Sequence, residues 1–95
     1  MLQAVKLAMR PAIKTNAYDS EILDLIAAAK EDLQIAGIQN VDESKPLIRQ
    51  AIKTYCRLHF GNAEDPDKLE RAYCTQKAQL QTASGYRKWG DGDGT

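Results

Sequence analysis

Long apolar runs are missing from this sequence: no stretch approaches the roughly 18 consecutive apolar residues that a membrane-spanning helix requires. The first ten residues, MLQAVKLAMR, lack an extended apolar segment behind a basic start, so they do not read as a secretion signal. An excess of one charge is missing too, because 13 basic and 13 acidic residues leave a formal net charge of zero. Domains that grip nucleic acid through phosphates carry a basic surplus or stripe. Here Lys and Arg are dispersed, and the one tight basic pair is Arg87-Lys88. Sequence-independent DNA binding is therefore disfavoured, although folding or oligomerisation can still assemble a local patch.

Metal-binding and redox residues are scarce. Two cysteines, Cys56 and Cys74, and one histidine, His59, match no zinc-finger or ribbon spacing. With nothing to mark secretion, both thiols are expected to be reduced in a cytosolic product. A lone His beside Tyr55 and Phe60 has no acid–base partner in the sequence pattern. Its neighbour Cys56, three residues earlier on one helix face, makes no activated nucleophile without an orienting group and an oxyanion site. The ending Asp91-Gly92-Asp93-Gly94 has a superficial likeness to a calcium loop but lacks the third acidic position and the glutamate that closes such a loop. No phosphate-cradling glycine loop sits between a strand and a helix, and the acids Glu64, Asp65 and Asp67 are accounted for by a helix start. The expectation is a protein that is not an enzyme and uses no cofactor.

What remains is helical. With 43% hydrophobic and 27% charged residues in a chain of 95, the composition suits one small globular domain. Such a domain buries only about two-thirds of its unfolded surface, so contact with a partner would add usefully to its stability. Leu2, Val5 and Met9, with Ala4 and Ala8, outline a short first helix that Pro11 ends or interrupts. Ile22, Leu25, Ile26, Ala29, Leu33 and Ala36 fall on one face of a second helix, with Asp19 or Ser20 as its cap and Gly37 as its stop. Ser44 is the expected cap of a third helix, which has Pro46 in its first turn. Its stripe is Leu47, Ile48, Ala51, Ile52, Tyr55 and Leu58, and Phe60-Gly61-Asn62 closes it. Asp65-Pro66 is the clearest start signal of all. The fourth helix carries Leu69, Ala72, Tyr73 and Leu80, interrupted by Gln76 and stopped by Gly85.

No strand-like alternation, repeat or low-complexity block appears. The sequence predicts an all-α fold: a compact bundle of three main helices plus a short N-terminal one over residues 1–85. A flexible C-terminal tail over residues 86–95 follows. Tyr86, Arg87 and Trp89 belong to the residue types that dominate binding hot spots. Two readings stand level: the aromatics fold back and cap the helical core, or they anchor a partner.

The segments YDSEILDLIAAAKEDL, LIRQAIKTYCRLHFGN and PDKLERAYCTQKAQLQTASGYRKW follow one another in an order that resembles the phage head–tail connector (adaptor) family, whose members are also labelled DNA-packaging proteins. The likeness runs from about Leu2 to Trp89. Its most specific piece, KAQLQTASGYRKW, is similar to the end of connectors from phages and prophages of Gram-positive hosts. The resemblance implies a structural adaptor of the virion head–tail junction, assembled in the cytoplasm of the bacterial host. Its subunits would form a homo-oligomeric ring on the portal protein and present a surface to the next head-completion or tail protein, with the free protein a monomer or already oligomeric. Packaged DNA would pass through the channel without specific binding. The same resemblance implies that Tyr86, Arg87, Lys88 and Trp89 dock on the portal, the aromatics as buried anchors and the two cations against portal carboxylates. Two rivals are a small helical nucleic-acid-binding protein, which predicts salt-dependent DNA affinity, and a regulatory module with a single protein partner, which predicts a one-to-one complex.

Overall fold

The computed structural model describes residues 1–9, 12–39, 41–60 and 65–82, and among these it contains four helices and no strand. They are α1 (Leu2–Ala8), α2 (Asp19–Ile35), α3 (Pro46–His59) and α4 (Pro66–Thr82). The expected three main helices and short first helix are all present. Pro11, the Gly61-Asn62 stop, Gly85 and the boundary between residues 85 and 86 lie outside the described residues.

Successive helices run in opposite directions. Lys6 near the end of α1 reaches Asp19 at the start of α2, and Tyr18 packs edge-on against Phe60 just beyond α3 at 5.5 Å between ring centroids. Farther along, Tyr55 of α3 meets Tyr73 of α4 at 5.3 Å, and the Gln81 side chain near the end of α4 donates to the Ala36 carbonyl at the end of α2. The central member is α3, which packs against each of the other three.

The apolar stripes meet in one core made of Val5, Met9, Ile22, Ile26, Ala29, Leu33, Ile38, Ile48, Ala51, Ile52, Cys56, Tyr73 and Leu80. On α2 the predicted face is the observed one, with Ile22, Ile26, Ala29 and Leu33 buried and Leu25 and Ala36 packed at its margin. Gly37 ends this helix at φ +92°, where a residue with a side chain would be strained. The Gly37 amide donates to the Gln34 carbonyl and the Ile38 amide to that of Leu33, so the stop is a Schellman motif sealed by the buried Leu33 and Ile38.

Three expectations need correction. Tyr18, rather than Asp19 or Ser20, occupies the cap position of α2 and makes no side-chain cap bond, because the Asp19 carboxylate is drawn to Lys6 instead. Lys45 precedes α3 where Ser44 was expected, since Asp42 captures both the Ser44 amide at 3.0 Å and its hydroxyl at 2.9 Å in a local turn. Leu47, expected on the α3 stripe, is 45% exposed. Thr54 and Cys56 are buried instead, and the Thr54 hydroxyl satisfies itself on the Gln50 carbonyl one turn back at 2.9 Å. By contrast, Asp65 caps α4 as its sequence announces, accepting the Lys68 amide at 3.1 Å ahead of Pro66.

Candidate partner-binding surface

Polar side chains fasten the bundle at its edges. Lys6 is 2% exposed, and its ammonium sits 2.8 Å from Asp19 Oδ1 and 3.4 Å from Asn16 Oδ1. A buried ammonium is tolerated only when paired and hydrogen-bonded, so this contact ties the end of α1 to the start of α2. At the other end Glu43 accepts from Lys30 and lies 3.4 Å from the amino group of Met1. The Lys30 hydrogen bond, outweighing partial burial, holds the Glu43 carboxyl below its ordinary range.

A second cluster joins α4 to α2. Tyr73 donates its hydroxyl to Asp32 Oδ2 at 2.6 Å, and Lys77 reaches the same oxygen at 3.2 Å while lying 5.1 Å from the centre of the Tyr73 ring. Partial burial alone would raise the Asp32 pKa. The bonds from Tyr73 and Lys77 and the charge of Lys77 outweigh it and leave the carboxyl below its ordinary value. Burial, reinforced by the bond to Asp32, pushes the Tyr73 hydroxyl up, so it stays protonated and remains a donor.

The exposed His59 stacks against Tyr55 at 4.2 Å between centroids, while Cys56 faces the core. Burial pushes the Cys56 thiol up to about 12, so it stays protonated at neutral pH and is no nucleophile. Cys74 lies exposed on α4, unbridged, beside Asp67, Glu70, Arg71 and Thr75 along a shallow open depression. Among the described residues no group of three or more His, Cys, Asp or Glu side chains is placed to hold a metal. No described helix is long and apolar enough to cross a membrane.

The surface offers apolar contacts instead. Ile35 is 79% exposed and Leu7 65%, and Leu23, Tyr18 and Leu47 are each about half exposed. They divide between the two ends of the bundle. Leu7, Tyr18 and Leu23 belong to the end where Lys6 meets Asp19, and Ile35 and Leu47 to the end where α2 gives way to α3. Sequence reasoning missed this surface, although Leu23 and Ile35 both lie off the stripe of Ile22, Ile26, Ala29 and Leu33 and so carried a signal. The predicted docking residues Tyr86, Arg87, Lys88 and Trp89 lie outside the described residues. The last described helix, α4, ends at Thr82, one residue after Gln81, whose side chain donates to the Ala36 carbonyl.

A family model described as phage connector protein matches residues 1–87. No curated protein and no solved structure matches the chain.

Proposed function

Because the chain belongs to the phage connector protein family, we propose that it forms a homo-oligomeric ring on the portal of a tailed phage or prophage and joins the DNA-filled head to the tail. The family match over residues 1–87 carries the connector role. The ring and the portal contact are the finer reading. They draw support from the two separate sets of exposed apolar side chains, Leu7, Tyr18 and Leu23 at one end and Ile35 and Leu47 at the other. A closed ring is built from heterologous contacts, in which one patch on each subunit meets a different patch on its neighbour, so two unlike patches are what it requires. A zero net charge avoids mutual repulsion among identical subunits, and local charges set the register.

Docking on the portal is assigned to Tyr86, Arg87, Lys88 and Trp89, with the aromatics as buried anchors and the cations facing portal carboxylates. The next head-completion or tail protein meets the opposite rim, and DNA passes through the channel without specific contacts. In this reading the protein is structural, works at the head–tail junction of the virion, and has no catalytic step.

Mixing the purified chain with the portal encoded beside it, followed by electron microscopy, tests the proposal. A coaxial ring on the portal is the expected result, and it should be lost when residues 86–95 are deleted while the circular dichroism of the helices is unchanged. A one-to-one complex without a ring would favour the regulatory module. Salt-dependent affinity for DNA without portal binding would favour the nucleic-acid reading.

A further inference from the structure

Among the described residues Ile35 is the most exposed large apolar side chain, and its position on α2 indicates what covers it. Three residues after Asp32, it lies on the flank of α2 that Asp32 presents to Tyr73 and Lys77 of α4. It is also adjacent to Ala36, whose carbonyl accepts from Gln81. On α3, Leu47 precedes the buried Thr54 by two turns on the same face. Because α3 and α4 are antiparallel with Tyr55 against Tyr73, Leu47 stands about level with Gln81. Ile35 thus borders the end of α4, and Leu47 stands level with that end on α3.

Beyond Thr82 the sequence continues ASGYRKW, then a Gly/Asp-rich stretch to Thr95. Tyr86 follows Thr82 by four residues and Trp89 by seven, so at about 3.3–3.6 Å per extended residue they reach roughly 14 and 25 Å from the end of α4. Between the two aromatics stand Arg87 and Lys88, and one turn before Ile35 on its own face stands the exposed Glu31. The surface and the segment match in apolar character and in charge.

We propose that the patch of Ile35 and Leu47 is a docking surface for the chain's own C-terminal segment, with Tyr86 and Trp89 covering the two aliphatic side chains and Arg87-Lys88 facing Glu31. The occupant is intramolecular because it is tethered within reach, and tethering gives it an effective concentration that a second copy in dilute solution does not match. The free subunit then keeps its aromatics covered, and any partner that binds them must first displace them from Ile35. The inference concerns the free protein: in the proposed ring the segment must leave Ile35 and Leu47 before a neighbouring subunit meets them, whereas the portal contact can fail without it.

Trp89 is the single tryptophan of the chain, which makes its fluorescence a direct reporter. In the full-length protein its emission should lie to the blue of a peptide spanning residues 83–95, resist acrylamide quenching, and stay unchanged on dilution. Ile35→Asp should shift the emission to the peptide position and restore quenching to the peptide's level, with helical circular dichroism unchanged because Ile35 is exposed. Ile35→Ser and Leu47→Ser should give shifts in the same direction, and they replace the first variant should it misfold. Wild-type emission already at the peptide position overturns the proposal. So does a blue-shifted emission that none of the three variants moves, which places Trp89 elsewhere. A blue shift lost on dilution overturns it as well, by making the occupant a second copy.

Discussion

The third and fourth helices pack against each other, yet they are held in different ways. In its 14 residues α3 buries Ile48, Ala51, Ile52, Thr54 and Cys56, and it meets every other helix. The 17 residues of α4 bury only Tyr73 and Leu80, and polar bonds from Tyr73, Lys77 and Gln81 carry the helix across to α2. A helix fixed by dispersed apolar burial comes loose only when the whole domain unfolds. One that buries two side chains fully and reaches its second neighbour through a polar hook is expected to open at lower free energy. Since α3 and α4 form the most extensive helix pair, what sets α4 apart is its hold on α2, which runs through polar side chains. It is α4 that leads into the segment proposed to bind partners.

Core truncation should show the contrast most strongly. Ile52→Ala removes a fully buried side chain from α3 and should cost about 2–5 kcal/mol. At about 4–8 °C per kcal/mol for a domain of this size, melting should fall by roughly 10 °C or more. Protection of all described helices against hydrogen exchange should drop together. Leu80→Ala removes an equally buried group near the end of α4, and its effect should be more local. Amides of α4 should exchange faster while those of α2 and α3 keep most of their protection. Equal loss of protection in all helices after Leu80→Ala would break the comparison and make α4 part of the same cooperative unit.

The polar hook gives a smaller effect. Tyr73→Phe keeps the ring against Tyr55 but removes the hydroxyl that donates to Asp32 at 2.6 Å. Hydrogen bonds to a charged acceptor contribute about 1.5–3 kcal/mol, and the lower end applies because Lys77 still serves the partly solvated Asp32. The expected result is a loss of about 1.5 kcal/mol by urea denaturation with an unchanged m-value, and with faster exchange confined to α4.

Much of this architecture was legible in the residues alone. Ile22, Ile26, Ala29 and Leu33 repeat at helical spacing, Gly37 marks a stop, and Asp65-Pro66 marks a start, because each signal is read from neighbours in the chain. Signals that a distant residue can capture were not legible. Asp19 looked like a cap until Lys6 took its carboxylate, and Ser44 looked like one until Asp42 bound it. A lysine in a short amphipathic helix reads as solvated, so nothing local announced that Lys6 is buried. Leu47 has the right period for the α3 stripe, but it stands level with the end of α4 and is left half uncovered. The surface failed for a related reason. Tyr86 and Trp89 announce hot-spot chemistry by residue type, whereas aliphatic residues off the helical stripes are indistinguishable in sequence from ordinary exposed side chains.

The smallest expected effect is the acid dependence of α4, and it sharpens the comparison most because one carboxylate, Asp32, ties α4 to α2. Asp32 titrates below the ordinary aspartate value of 3.8, so the folded state binds its proton less tightly than the unfolded one. Its contribution is complete above that value and is lost as pH falls through the lower folded value. Since the carboxylate is partly exposed, solvent screening keeps the contribution below about 1 kcal/mol. Asp42 and Glu43 are also held low, by Ser44 and Lys30 respectively, but they sit in the connection between α2 and α3 and act on the bundle as a whole. Exchange corrected for its intrinsic pH dependence should therefore show α4 losing protection more steeply than α3 as pH falls below about 4. In Asp32→Asn the extra slope of α4 should vanish, leaving the shared slope from the connection. If the extra slope survives in Asp32→Asn, the hook is not what holds α4, and Leu80 and the Tyr73 ring hold the helix by packing alone.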